Sequence, residues 1–271
     1  KLFKLKKLIN HINNQVGNFK INIIIIHQSS NKKNKPFFLK KKNIFYKKIT
    51  LQNLSNAKNE GIKLSKSSII AFLDDDVTLS KDYFLKSFNF IKKKKCDLMF
   101  CRINKINSKK PLSRNMTSYD QKINYFNSSC CLSSSMWLYK NKKKAFLFDI
   151  KLGLGAFYGS ADETDFIYSN LKHKRKVYYN SKAIIYHPEE FDNLNDYAMI
   201  FKKFISYGKG QGALQKKYLY QNKFLHLYLF IMSFIKSMLG IIYYAFSFNL
   251  KNIVKYFALA IGKIIGFIKY N

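Results

Sequence analysis

The sequence predicts an α/β fold, a doubly wound sheet flanked by helices, followed by a helical, apolar C-terminal extension. Three observations carry this. Strand-like and helix-like stretches alternate from Phe19 to Tyr186. An unbroken apolar run, Ile69 to Leu73, ends in three consecutive carboxylates, Asp74, Asp75 and Asp76. From Tyr197 the chain changes character and becomes apolar and helical.

Each element has a local cause. Leu2, Leu5, Ile9 and Ile12 recur at helical spacing, so an amphipathic helix opens the chain. Phe19 to Ile26 reads as a strand ending in a polar loop, His27 to Asn31, followed by lysines and Pro36. A short extended piece follows from Ile44 to Ile49. Leu54, Ala57, Gly61 and Leu64 share one helix face, with Asn53 or Ser55 as N-cap. Ile69 to Leu73 then suits a strand buried on both faces in a parallel sheet. Ser80 caps a helix carrying Phe84, Leu85, Phe88 and Ile91, with Lys92 to Lys95 suiting its dipole. Cys96 to Ile103 is a further strand, and Lys105 to Asn127 a long polar loop. Glycines at 153, 155 and 159 mark a second loop, and acids at 162, 163 and 165 open a helix, Thr164 to Leu171. A last strand, Lys176 to Tyr186, ends at His187-Pro188. Tyr207 to Lys217 is glycine-rich and basic. Phe224 to Phe248 is long enough to span a bilayer, with Lys236 in its middle.

The chain has 271 residues, with 49 Lys and Arg against 15 Asp and Glu, a net charge of +34. That balance points to a polyanion: nucleic acid, anionic lipid or a phosphorylated substrate. Only Arg102, Arg114 and Arg175 are Arg, the residue suited to bidentate phosphate and base recognition. Asn, Ile, Phe and Tyr are abundant throughout, so a compositional bias towards Lys explains the charge as well as a partner does. No recognised nucleic-acid motif accompanies the charge, and no specific nucleic-acid partner is expected. Cys96, Cys101, Cys130 and Cys131 match no zinc spacing, and no secretory signal opens the chain. Reduced thiols in the cytoplasm are the simplest reading.

Carboxylates at the C-terminal end of a buried strand lie where open α/β sheets bind ligands. Hard oxygen ligands there suit Mg²⁺ or Mn²⁺ holding a phosphate. A solvated acidic turn capping the next helix explains Asp74 to Asp76 equally well. The acids at 162, 163 and 165 likewise have a purely structural explanation, compensation of a helix dipole.

Four pieces, in this order, resemble glycosyltransferase family 2, the enzymes of GT-A fold, a Rossmann-like mixed sheet flanked by helices, that use nucleotide sugars. SNAKNEGIKLSKSSIIAFLDDD, Ser55 to Asp76, is similar to that family's helix, strand and DXD motif. FDIKLGLGAFYGSADETDF, Phe148 to Phe166, is similar to its acceptor loop and ED-type motif. KVYYNSKAIIYHP, ending in His187 and Pro188, resembles the strand and histidine that follow. YGKGQGALQKK resembles a segment after the catalytic domain of bacterial polysaccharide transferases. The resemblance spans about Phe19 to Lys217.

It implies a role for each site residue. Asp74 would lie near the donor nucleoside with Asp75 beside it, and Asp76 would bind Mn²⁺ or Mg²⁺ with His187. Lys58, where relatives often carry Arg, would touch the nucleotide with Asn59 next to it. Gly155 and Gly159 would shape the acceptor loop. Inversion needs a carboxylate to take the acceptor's proton. Glu163 takes that role, with Asp162 as the alternative. The pair reverses the commoner order of the motif. The family's opening strand has no counterpart, so an N-terminally incomplete chain is expected. The QxxRW motif of processive synthases is absent, which favours one sugar per event.

The implied activity is an inverting, metal-dependent transfer from a nucleotide-sugar donor, first of all a UDP-sugar. A glycan or lipid-linked molecule would accept the sugar in surface polysaccharide synthesis. Two other readings stand beside it. A sugar-phosphate nucleotidyltransferase would also place acids at strand ends, although its glycine-rich nucleotide loop is not found. A basic, non-enzymatic nucleic-acid or membrane-surface protein is the other. The expected division is a catalytic domain over 1–196 and a helical region over 197–271 that attaches to the cytoplasmic face of the cell membrane. Lys255, Lys263 and Lys269 recur too regularly for a second clean span, so their expected place is towards anionic lipid.

Overall fold

A computed structural model describes residues 2–29, 42–51, 53–106, 108–140, 146–188 and 195–271. Of the expected loop after the first strand, Ser30, Asn31 and Pro36 lie outside the described residues. The chain divides into two compact units. The first comprises 1–52, 57–147 and 166–189, and the second 53–56, 148–165 and 190–271.

In the first unit, α1 (Leu2–Asn13) buries Leu8, Ile9 and Ile12, the face its periodicity marks. The strands β1 (Ile23–Gln28) and β2 (Ile44–Ile49) pair in parallel as a two-stranded sheet of their own. Then come α2 (Leu54–Leu64), β3 (Ile69–Ala71), β4 (Thr78–Leu79), α3 (Tyr83–Lys94), β5 (Leu98–Lys105), β6 (Gln121–Lys122) and β7 (Met136–Tyr139). Helix α4 (Asp162–Lys172), whose residues up to Asp165 belong to the second unit, precedes the longest described strand, β8 (Val177–His187). Strands β3 to β8 form one mixed six-stranded sheet, in the order β3-β7-β5-β8-β4 with β6 also on β8.

The strand expected to be buried on both faces of a parallel sheet is neither fully buried nor parallel to its neighbour. β3 has three residues, is half-buried, and stands at the end of the strand order, antiparallel to β7. With one hydrogen-bonded neighbour it cannot be covered as a central parallel strand is. The apolar run continues past it: Phe72 still donates its N–H to Met136 O, but Leu73 leaves the ladder. The centre is held by β5 and β8, which pair in parallel with a register shift between Cys101 and Arg102. β5 is fully buried at Leu98, Met99, Phe100 and Cys101, and Tyr83 of α3 accepts the indole N–H of Trp137 at 2.8 Å. Two capping expectations resolve differently. Asn53 Oδ1 accepts from Asn56 N at 3.0 Å and caps α2. Ser80 does not cap α3; its hydroxyl binds Asp82, and Gln15 Oε1 from the end of α1 accepts the Phe84 N–H. All four cysteines are free and buried.

The second unit is built on α5 (Tyr197–Tyr218), α6 (Lys223–Phe246) and α7 (Leu250–Lys269). The glycine-rich stretch is the interior of α5, where its glycines admit backbone. A Cβ at Gly208 would stand 2.5 Å from Leu259 O and 2.9 Å from Gly262 Cα. A Cβ at Gly212 would overlap the Lys263 carbonyl, and one at Gly266 the Lys209 carbonyl. Gly208 with Gly212, and Gly262 with Gly266, are pairs spaced four apart. Each pair lies on one face of its helix, so α5 and α7 meet backbone to backbone. Gly210, on another face, admits Ser160 instead.

Candidate active site

Two strands bring the first group of site residues together. Thr78 of β4 pairs with Tyr186 of β8 in antiparallel register, so the turn before β4 lies beside the end of β8. That turn carries Asp74 to Asp76, and β8 ends at His187. His187 Nε2 lies 3.7 Å from Asp74 Oδ2 and 3.7 Å from Asp76 Oδ1. Asp75 in the same turn is exposed. Residues over a hundred apart in sequence thus converge through one two-residue ladder.

The chemistry of this cluster follows from the imidazole's other nitrogen. His187 Nδ1 donates to Pro188 O at 2.7 Å, so its N–H is committed there. Nε2 then meets two carboxylates with a lone pair unless it carries a proton or shares a cation with them. Burial lowers the basicity of His187, but the Asp74 carboxylate, the Pro188 carbonyl and Asp76 outweigh it and raise its pKa above the ordinary value. Among the described residues no three or more His, Cys, Asp or Glu side chains form a ready cation cage. Asp74, Asp76 and His187 are an open set, and a set of hard oxygens with one imidazole fits Mg²⁺ or Mn²⁺ chemically. Lys4 of α1 adds a cation 3.5 Å from Asp76 Oδ2. Sequence reasoning missed Lys4, since one lysine among so many carries no signal. Lys58 and Asn59 are buried on α2.

The second group lies in the second unit. The loop at Phe148 to Ala161 folds on itself: Gly153 N–H reaches Tyr158 O at 2.9 Å. Gly153 and Gly155 have φ of +96° and +88°, a region that favours glycine. Gly159 serves close approach instead, since a Cβ there would run into the Ser206 hydroxyl. Ala161, with φ +70°, turns the chain into α4. The acids open α4 as expected, but two residues earlier, at Asp162. Asp162 is buried with its carboxyl against Gly153, where a Cβ would stand 2.9 Å from Asp162 Cγ. Glu163 is half-buried.

Around these acids lies a network that the sequence did not announce. Lys217 of α5 lies 2.7 Å from Asp149 Oδ2 and 2.7 Å from Asp165 Oδ1. The Tyr270 hydroxyl donates to Asp149 Oδ2 at 3.0 Å, and the Tyr218 hydroxyl to Asp165 O at 3.0 Å. Tyr158 donates to Lys269 O at 2.7 Å. Burial would raise the Asp149 carboxyl, but Lys217 outweighs it and holds the pKa below the usual range. Lys217 and Asp165 are polar residues spaced far apart in the chain, with no local pattern linking them.

The sequence profile of glycosyl transferase family 2 matches residues 4–151, just over half of the chain. No curated protein matches. Solved structures of S. aureus TarS share the fold. The crystal structure of TarS 1–349 is 13% identical, with 93% of this chain and 86% of that one covered and a TM-score of 0.56. The same TarS fragment in complex with UDP gives 12% identity, the same coverage and 0.58. Its complex with UDP-GlcNAc gives 11% identity, again the same coverage, and 0.53.

Proposed function

The chain belongs to glycosyl transferase family 2 and is a glycosyltransferase, and from that premise we propose an inverting, metal-dependent enzyme. It moves one sugar from a UDP-sugar to a glycan or lipid-linked acceptor in surface polysaccharide synthesis. The observation that carries this reading is the convergence of Asp74, Asp76 and His187 at the junction of β4 and β8. The TarS complexes with UDP and UDP-GlcNAc support the choice of donor.

Asp76 and His187 would hold Mn²⁺ or Mg²⁺, which neutralises charge developing on the departing diphosphate. Asp74 and Asp75 face the donor's nucleoside side, and Lys58 and Asn59 on α2 contribute to the same end. Lys4, beside Asp76, adds a positive charge towards the diphosphate. Glu163 accepts the proton of the attacking hydroxyl. Its partial exposure, against the burial of Asp162, supports Glu163 over its neighbour, because a base must reach its substrate. Gly155 and Gly159 keep the acceptor loop tight, and that loop exposes Ile150, Leu154 and Phe157, which suits an acceptor with a lipid part.

We assign the attachment to the membrane to α6. It is 24 residues long and apolar enough to cross a membrane by length and composition. Phe224, Tyr228, Ile231, Ile235, Leu239 and Ile242 form an exposed stripe along it. Lys236 is exposed as well, which favours a helix lying in the headgroup region of the cytoplasmic face over a span. One expectation needs correction: Lys263 does not face lipid. It is buried, and its ammonium donates to Ser233 O and Ser237 Oγ of α6. Lys255 lies over the rings of Phe204 and Tyr256.

A panel of UDP- and GDP-sugars with Mn²⁺ tests the reaction class. Nucleoside diphosphate release is the expected outcome. Pyrophosphate release from a nucleoside triphosphate and sugar phosphate would mean a nucleotidyltransferase.

A further inference from the structure

Glu163 sits in a turn that is held from α5 and from the end of α7. Gly210 admits Ser160, whose hydroxyl donates to Tyr207 O at 2.7 Å. Seven residues on from Gly210, two helical turns along the same face, Lys217 bridges Asp149 and Asp165 at 2.7 Å each. Tyr270, beyond the end of α7, holds Asp149 from its other side at 3.0 Å. The two carboxylates bracket the loop: Asp149 stands near its start, and Asp165 two residues past Glu163. The Asp165 side chain is only 3% exposed. Burial raises its carboxyl pKa, with Lys217 working against that, and the Lys217 ammonium is held above its ordinary value by Asp165 and Asp149 despite its own burial. A buried ion pair is a poor source of stability, because both partners lose hydration. What it fixes is position: Lys217 donates a hydrogen bond to Asp149 Oδ2 and stands in ion-pair contact with Asp165 Oδ1.

We propose that Lys217 is a positioning residue for sugar transfer. By joining Asp149 to Asp165 it ties the start of the acceptor loop to the first turn of α4 and sets the direction of Glu163. The inference rests on the reading of Glu163 as the base. It gives a role to Lys217, the last residue of the glycine-rich basic stretch, on a helix expected to follow the catalytic domain.

The test uses the full chain with Lys217→Met, Tyr270→Phe and, in parallel, Glu163→Gln. Three quantities are measured: UDP affinity with Mn²⁺ by calorimetry, UDP release from the UDP-sugar that the wild type hydrolyses fastest, and amide hydrogen exchange. In Lys217→Met, amides of 152–165 should exchange faster while those of β5 keep the wild-type rate. UDP release should fall roughly tenfold to a hundredfold, the scale of a small misplacement of a reacting group, with UDP affinity unchanged. Tyr270→Phe should shift exchange and release in the same direction by less, and it decides the matter if Lys217→Met does not fold. Unchanged exchange at 152–165 overturns the proposal. Faster exchange with full UDP release, while Glu163→Gln is inactive, also overturns it and leaves Glu163 as the base. Full release by Glu163→Gln overturns the base assignment itself, and the positioning role with it.

Discussion

Gly212→Ala sets two effects of opposite sign against each other. In a helix interior Ala is better than Gly by about 1 kcal/mol, so propensity alone predicts a more stable protein. Packing predicts the reverse. The added Cβ would overlap the Lys263 carbonyl and stand 2.8 Å from Phe267 N. Both are backbone atoms of α7, and neither can turn aside as a side-chain tip can. Overpacking of this kind costs roughly 1–3 kcal/mol, occasionally more, and an obstruction by backbone belongs at the upper end. The net expectation is a loss of about 2 kcal/mol, or a fall of roughly 4–8 °C in the melting temperature at the usual 2–4 °C per kcal/mol for large domains. Gly61→Ala is the control. It lies inside α2, and its Cβ would meet Ile26 Cγ1 at 4.0 Å, an ordinary contact. Propensity should win there and raise stability by up to about 1 kcal/mol. Thermal unfolding followed by circular dichroism at the helix band reads both. If Gly212→Ala is as stabilising as Gly61→Ala, α5 and α7 do not meet backbone to backbone, and the account of the glycine-rich stretch fails.

Glu163→Gln keeps the shape of the side chain and removes its proton affinity, so turnover should fall by about a hundredfold or more with UDP affinity retained; if Asp162→Asn is the inactive variant instead, the two roles are exchanged. Ile231→Glu with Leu239→Glu places two charges on the exposed stripe of α6 and should release the protein from anionic vesicles without lowering its melting temperature, whereas full retention on the vesicles counts against attachment through this face. Deleting 222–271 is a different perturbation. It removes Ala258, which packs with Ile200 and Phe204, and Tyr270, which packs on Tyr158, so proteolysis should find the second unit unfolded. A truncated chain as protease-resistant as the intact one would contradict that packing.

Most helices and the long strands were legible, because periodicity and caps are local signals. α1, α2, α3, β2, β5 and β8 lie close to where the pattern places them. What was not legible is who neighbours whom. Ile69 to Leu73 has the composition of a central strand, yet β3 is paired on one side only, and nothing in five residues records that. β7 is four residues beside a serine-rich run, too short to show a period. The site divides in the same way. Asp74, Asp76 and His187 stood out because acids at a strand end and a histidine at another form a familiar pattern. Lys217 did not, because a lysine in a chain with this composition is unremarked until its two aspartates are in view. The lysines of α7 misled for a related reason: regular spacing shows which face they share, but the burial of Lys263 against Ser237 depends on α6.

On the proposed reading, Asp76 and His187 hold the cation that meets the donor's diphosphate, with Asp74 towards its nucleoside. Asp76 is the residue to change, because the rest of its surroundings can bear it. Its contact to Lys4 is an exposed pair worth at most about 1 kcal/mol, and β4 and β8 keep their ladder without it. UDP release from a UDP-sugar should therefore be measured for wild type and Asp76→Asn across a Mn²⁺ titration, with the melting temperature recorded beside it. Release should depend on Mn²⁺ in the wild type and fall by about a hundredfold or more in the variant, with melting temperatures within a few degrees of each other. Equal release by the two proteins, or full wild-type release in excess EDTA, would contradict it.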